Sequence, residues 1–137
     1  MRGVWVLLIS SILLLAGCSQ GNNGNQFGGT EDTESSDTNQ SRILGRWEER
    51  DNGDAFLEFF DDGTVKGTTG CNGIFTRYTL NSNPGRNAAR LEDYATTARG
   101  CPDVDEWLAE GREVEFDDTQ MTVKDHNGKE VGKLYRP

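Results

Sequence analysis

The chain has 137 residues, with 23 acidic side chains against 14 basic ones and a formal net charge of −9. That balance argues against binding phosphate backbones, which needs clustered Lys and Arg, and against lying flat on an anionic leaflet, so no nucleic-acid partner is expected. A single histidine and three cysteines leave little material for a metal centre or a catalytic triad.

The N-terminal segment runs from Met1-Arg2-Gly3 into Val4–Leu15, apolar apart from Ser10 and Ser11, and then reaches Ala16-Gly17-Cys18. A charged start, a short apolar core and small residues before a cleavage point describe a secretory signal peptide, too short to cross a bilayer as a helix. Leu15-Ala16-Gly17-Cys18 resembles a bacterial lipobox, which implies cleavage after residue 17 and acylation of Cys18. Two acyl chains anchor a protein stably. The expected address is therefore extracytoplasmic, tied to the cell membrane or an outer membrane.

From Ser19 to Ser41 only Phe27 is a large apolar residue; the remainder is Gly, Asn, Gln, Ser, Thr and acids. Such a stretch buries too little surface to offset the entropy of ordering, so residues 18–41 read as the lipidated cysteine and a flexible tether without secondary structure. One small domain is expected over 42–137.

Within it, apolar residues recur at period two and turns interrupt them at short intervals. Arg46–Arg50 reads as a strand with Trp47 inward, and Ala55–Phe60 as a second with Leu57 and Phe59 on one face. Asp61-Asp62-Gly63 reads as a hairpin turn into Thr64–Thr69, where Gly67 marks a bulge or a close backbone approach. Gly70-Cys71-Asn72-Gly73 breaks the alternation, which resumes from Ile74 to Leu80; Ala88–Asp93 reads as a short strand. Asp103 with Glu106 three residues on forms a capping-box variant, so a helix is expected up to Gly111, with Val104, Trp107 and Leu108 as its apolar stripe. Strands over Glu113–Phe116, Met121–Lys124 and Lys129–Tyr135 follow, the last two joined through Asn127-Gly128. The expected fold class is mainly β (α+β): a curled antiparallel sheet or incomplete β-barrel of about eight short strands with one packed helix.

If Cys18 carries lipid, Cys71 and Cys101 remain as a pair. In a small exported domain such a pair is most often a disulfide. The alternative, metal ligation, finds one histidine and no C-x-x-C spacing. Neither a metal nor another cofactor is expected.

Gly63-x-Val65-x-Gly67-x-x-Gly70-Cys71-Asn72, then Tyr78, then Thr97-x-x-x-Cys101, resembles the META domain, a family that includes small bacterial envelope lipoproteins. The resemblance covers essentially the whole domain. It implies a β-rich half-barrel with one helix and a bridge between Cys71 and Cys101, and it marks Gly70, Asn72, Tyr78 and Thr97 as family-motif positions. The chain departs from the family pattern at Thr76, where Gly is frequent, and at Ala98 and Arg99, commonly Arg and Met.

No catalytic arrangement emerges. His126 lies in an expected turn, and Asp61-Asp62 and Asp117-Asp118 fall where Asp bonds its own backbone. The expected function is that of a membrane-anchored, non-catalytic module in envelope stress or interaction, monomeric and meeting another envelope protein. The alternative is a carrier for a small hydrophobic ligand or lipid, lined by Trp47, Leu57, Phe59, Tyr78 and Trp107; the same residues would serve as an ordinary core.

Overall fold

Alternation of large apolar and polar residues leaves each strand one face to bury, and an antiparallel sheet buries all such faces at once by closing on itself. In a computed structural model, which describes residues 30–51, 54–83 and 85–137, eight of nine strands do this. The nine are β1 (Gly45–Glu48), β2 (Ala55–Phe59), β3 (Thr64–Thr69), β4 (Gly73–Leu80), β5 (Ala88–Leu91), β6 (Ala95–Thr96), β7 (Glu113–Phe116), β8 (Gln120–Lys124) and β9 (Glu130–Tyr135). The order β3-β2-β1-β9-β8-β7-β5-β4 closes through β3–β4, and β6 adds to β4 beyond the end of β5. The barrel is thus closed rather than incomplete. Its thinnest seam is β1–β9, registered only at Glu48↔Tyr135.

Two hairpins use the same device. Phe60 donates to Thr64 O and Gly63 back to Phe60 O, while Asp125 donates to Lys129 O and Gly128 back to Asp125 O. Gly63 (φ 82°) and Gly128 (φ 79°) supply the left-handed residue that lets a three-residue loop match the strand twist. At Gly67 the expected close approach is present: a Cβ there would stand 2.1 Å from Phe56 O.

Trp47, Leu57, Val65, Leu108, Val114, Met121, Val123 and Leu134 have no exposed surface, and Phe59, Leu91 and Ile74 nearly none. Burying each large side chain is worth about 1.5–3 kcal/mol.

Both ends of the barrel are plugged. At one end sits α1 (Thr30–Ile43), a helix within the stretch expected to lack secondary structure. It inserts Ile43 into the core, Trp47 Nε1 donates to Ile43 O at 2.8 Å, and Gly45 (φ 93°) reverses the chain into β1. Arg136 stacks on Trp47, its carbon Cζ 3.8 Å from the ring centroid, and donates to the carbonyls of Leu44 and Arg42. The packed unit therefore begins before residue 42; Asn39 is already buried.

At the other end the helix expected from Asp103 is only a 3-10 turn, Trp107–Glu110. Asp103 caps nothing, and Val104 is exposed beside Gly70 rather than part of a buried stripe. Leu108 still enters the core, and Trp107 lies on β9, where a Cβ on Gly132 would come within 2.5 Å of its ring. Strand β5 stops at Leu91 instead of Asp93, and β6 was not expected. The 92–94 kink between them is held by Thr76, whose hydroxyl donates to Glu92 O at 2.9 Å.

Candidate functional site

The plugged end beside the 3-10 turn carries the densest polar organisation. The β3–β4 connection turns on Gly70 (φ 93°), and the Thr69 hydroxyl accepts from the backbone amides of Cys71 and Asn72 at 3.3 and 2.9 Å. This points Cys71 across to Cys101, joined to it by a disulfide with 6.0 Å between Cα atoms and a sequence separation of 30.

Beneath the bridge Asn72, 7% exposed, uses its whole carboxamide. Its Nδ2 donates to Glu106 Oε1 at 2.7 Å and to Arg99 O at 3.1 Å. Its Oδ1 accepts from the Thr97 hydroxyl at 2.9 Å and from Arg99 N at 2.7 Å. Thr69 Oγ1 donates to the same Glu106 oxygen at 2.8 Å, and Thr97 Oγ1 accepts from Gly73 N at 3.1 Å. Asn fits here because only a carboxamide gives two donors and two acceptors in one plane. The irregular segment from Thr97 to Glu106 is thereby tied to β3 and β4 by one covalent and several hydrogen bonds.

These groups border an open cleft of about 450 Å3 whose walls include Thr69, Asn72, Thr96, Arg99 and Glu106. Of the family-motif positions, Asn72 and Thr97 line it, and Gly70 makes the turn that leads into Asn72. Tyr78 does not: it lies toward the α1 end, its hydroxyl donating to Phe60 O at 3.0 Å and its ring edge-on to Phe59. Glu106 is the cleft residue to which the sequence did not point; its spacing from Asp103 suggested a helix cap, whereas its carboxylate accepts from Thr69 and Asn72.

The proposed ligand lining is placed differently. Trp47 and Leu57 are wholly enclosed, Phe59 and Tyr78 nearly so, and Trp107 covers Gly132. Trp47, Leu57, Phe59 and Tyr78 are part of the packed hydrophobic core, and Trp107 packs against it. His126 borders a separate open cleft of about 640 Å3 with Arg90, Asp93, Arg112 and Asp125. Asp125 is engaged by the amides of Asn127 and Lys129 at 2.8 and 2.9 Å, which hold its carboxyl below the ordinary range, the Lys129 bond most. Asp62 and Asp117 bond their own turns in the same way. Among the described residues no group of three or more His, Cys, Asp or Glu converges as metal ligands. Cys18 and the signal segment lie outside the described residues.

The profile of the META domain matches residues 33–135. The chain belongs to the META domain family. No curated protein and no solved structure shows a significant match to it. The family match begins inside α1, so the helix is part of the META domain it caps.

Proposed function

We propose that this META protein is a membrane-anchored extracytoplasmic lipoprotein whose domain is a non-catalytic module that engages another envelope component. The observation that supports this most is the division of the barrel: an interior closed to ligands and, at the end opposite α1, a polar cleft fastened by the Cys71–Cys101 bridge and Asn72. The cleft lies at the end of the barrel opposite α1, the helix through which a tether from Cys18 would join the domain. The filled core weighs against the carrier reading. Envelope residence accords with the lipobox-like Leu15–Cys18 and with a disulfide in a small domain.

The anchor is tested by mass spectrometry of the mature N-terminal peptide from cells. Diacylated or triacylated Cys18 is expected, with loss of the lipid and release from membranes in Cys18→Ala; an unmodified Cys18 in membrane-free protein refutes it. The interaction is tested by photo-crosslinking in the native host from positions around the barrel. A discrete product dependent on the folded domain supports the module, and diffuse background from every position refutes it.

A further inference from the structure

Strand β6 is paired on one side only. Its register with β4, Ile74↔Thr96 and Phe75↔Ala95, together with the bond from Thr97 N to Gly73 O, makes Thr96 a non-bonded pair. In an antiparallel ladder the N–H and C=O of such a residue point away from the partner strand. No described residue takes them. Thr96 stands on the wall of the cleft that Asn72, Arg99 and Glu106 also border.

Inside that cleft Glu106 is held by Thr69 and Asn72 through Oε1 alone. Both donors are neutral, Oε2 accepts nothing, and the carboxylate makes no ion pair among the described residues, Arg99 included. The unpaired edge and the fixed carboxylate are independent features, one a backbone register and the other a side-chain network. Asp103, Asp105 and Glu110, all exposed, add negative charge in the same segment as Glu106.

Resting on the module reading above, we propose that the cleft takes an extended peptide segment of a partner protein. The segment adds to the free edge of β6 and sets a Lys or Arg side chain against Glu106 Oε2. Main-chain bonds to Thr96 supply attachment, and the carboxylate selects the cationic residue.

The test uses the full-length chain in detergent micelles and a terminally blocked peptide, Thr-Val-Lys-Val-Thr, titrated to millimolar concentration. Amide shifts are expected to cluster on Thr96–Gly100, Asn72 and Glu106. Replacing the peptide's Lys by norleucine weakens binding by about fivefold, the range of a partly exposed ion pair, and replacing it by Glu weakens it further. Glu106→Gln is expected to erase the Lys-over-norleucine preference, and N-methylation of the peptide's pairing amides to abolish binding. No binding at millimolar peptide, shifts scattered over the acidic surface, or a Lys preference unchanged in Glu106→Gln each overturn the proposal. In-cell crosslinking separates this failure from that of the module. A product from a photo-reactive residue at Lys133 but not at Thr96 or Arg99 overturns the cleft alone; silence at all three positions sinks the module as well.

Discussion

Asn72→Asp changes one atom and leaves the side chain's shape intact, yet it reverses two of the four hydrogen bonds that hold the cleft. The bonds accepted from Thr97 Oγ1 and Arg99 N survive, because a carboxylate oxygen accepts as a carboxamide oxygen does. The two donated bonds fail: an oxygen replaces Nδ2 at 2.7 Å from Glu106 Oε1 and 3.1 Å from Arg99 O. Each lost bond costs about 1 kcal/mol net, and facing acceptors at a nearly buried position add about 1–2 kcal/mol more. The expected loss is about 3–4 kcal/mol. For a domain of about 100 residues each kcal/mol lowers Tm by about 4–8 °C, so a fall above about 12 °C is expected at pH 7.5.

The same variant carries an internal check. Two carboxylates at hydrogen-bond distance titrate as a pair, with the second ionisation pushed up. The repulsion is full at neutral pH and is relieved as pH falls and one proton bridges the oxygens. Thermal unfolding with the disulfide intact should therefore show the variant recovering part of its deficit between about pH 7 and 5 relative to the parent. Adding Glu106→Gln should restore stability at pH 7.5, since the new amide donates to the introduced carboxylate. A loss below about 1 kcal/mol, or a deficit independent of pH and of Glu106, would refute the assignment of Asn72 as the donor that orders the cleft.

Reducing the bridge, or replacing Cys71 and Cys101 together by Ser, should cost about 3–4 kcal/mol for a separation of 30 residues, read as the urea midpoint of oxidised against reduced protein. An unchanged midpoint would mean that the unfolded chain gains nothing from opening the loop. Gly67→Ala drives a Cβ to 2.1 Å from Phe56 O and should destabilise by about 1–3 kcal/mol or more by prying β2 from β3; wild-type Tm would contradict the close approach. Stability should also fall in acid. The Thr64 bonds on Asp62, the Thr119 and Gln120 amides on Asp117, the Lys129 amide on Asp125, and Lys124 with Arg86 on Glu115 all hold these carboxyls below their ordinary range. Their folded values lie below the unfolded 3.8 and 4.5, so their stabilisation is complete above about pH 6 and lost as pH drops below about 5; a urea midpoint flat from pH 7 to 3 would contradict this. Thr97→Val should cost about 1–2 kcal/mol because its hydroxyl bridges Asn72 and Gly73, whereas Arg99→Met should stay within about 0.5 kcal/mol; equal effects would contradict the division between them.

Most of the barrel was legible because strand burial is a local, period-two property. Leu57, Phe59, Val65, Ile74, Tyr78, Val114, Met121 and Val123 fall inward as their alternation requires, and Asp62-Gly63 and Asn127-Gly128 mark real reversals. The misread segments are those where tertiary contacts outweigh local signals. Asp103 to Glu106 has the spacing of a capping box, but Glu106 finds two better donors in Thr69 and Asn72, which lie more than 30 residues away. The helix then shortens to the single turn that Leu108 and Trp107 can bury. At the other end α1 has no apolar stripe, so periodicity could not reveal it. Its signals were weaker ones: Glu31, Asp32 and Glu34 in the first turns, Arg42 in the last, and Gly45 just beyond. Strand β6 is too short to read, and its pairing depends on the kink that Thr76 fixes.

Closure at the cleft end follows a rule that also explains where this chain can depart from its family pattern. Thr97 is held through its hydroxyl, so no other side chain of its size and shape except another hydroxyl could keep both of its bonds. Arg99 is held through its main-chain N–H and C=O, which any residue but proline provides. Ala98 lines the cleft without a side-chain bond to the network. Ala98 and Arg99, two of the three positions where the sequence departs from the family pattern it resembles, both sit on the cleft wall. Main-chain anchoring thus lets the wall of the cleft change its chemistry while Asn72, Thr97 and the bridge keep its shape, which is what a scaffold needs if related domains are to present different surfaces to different partners.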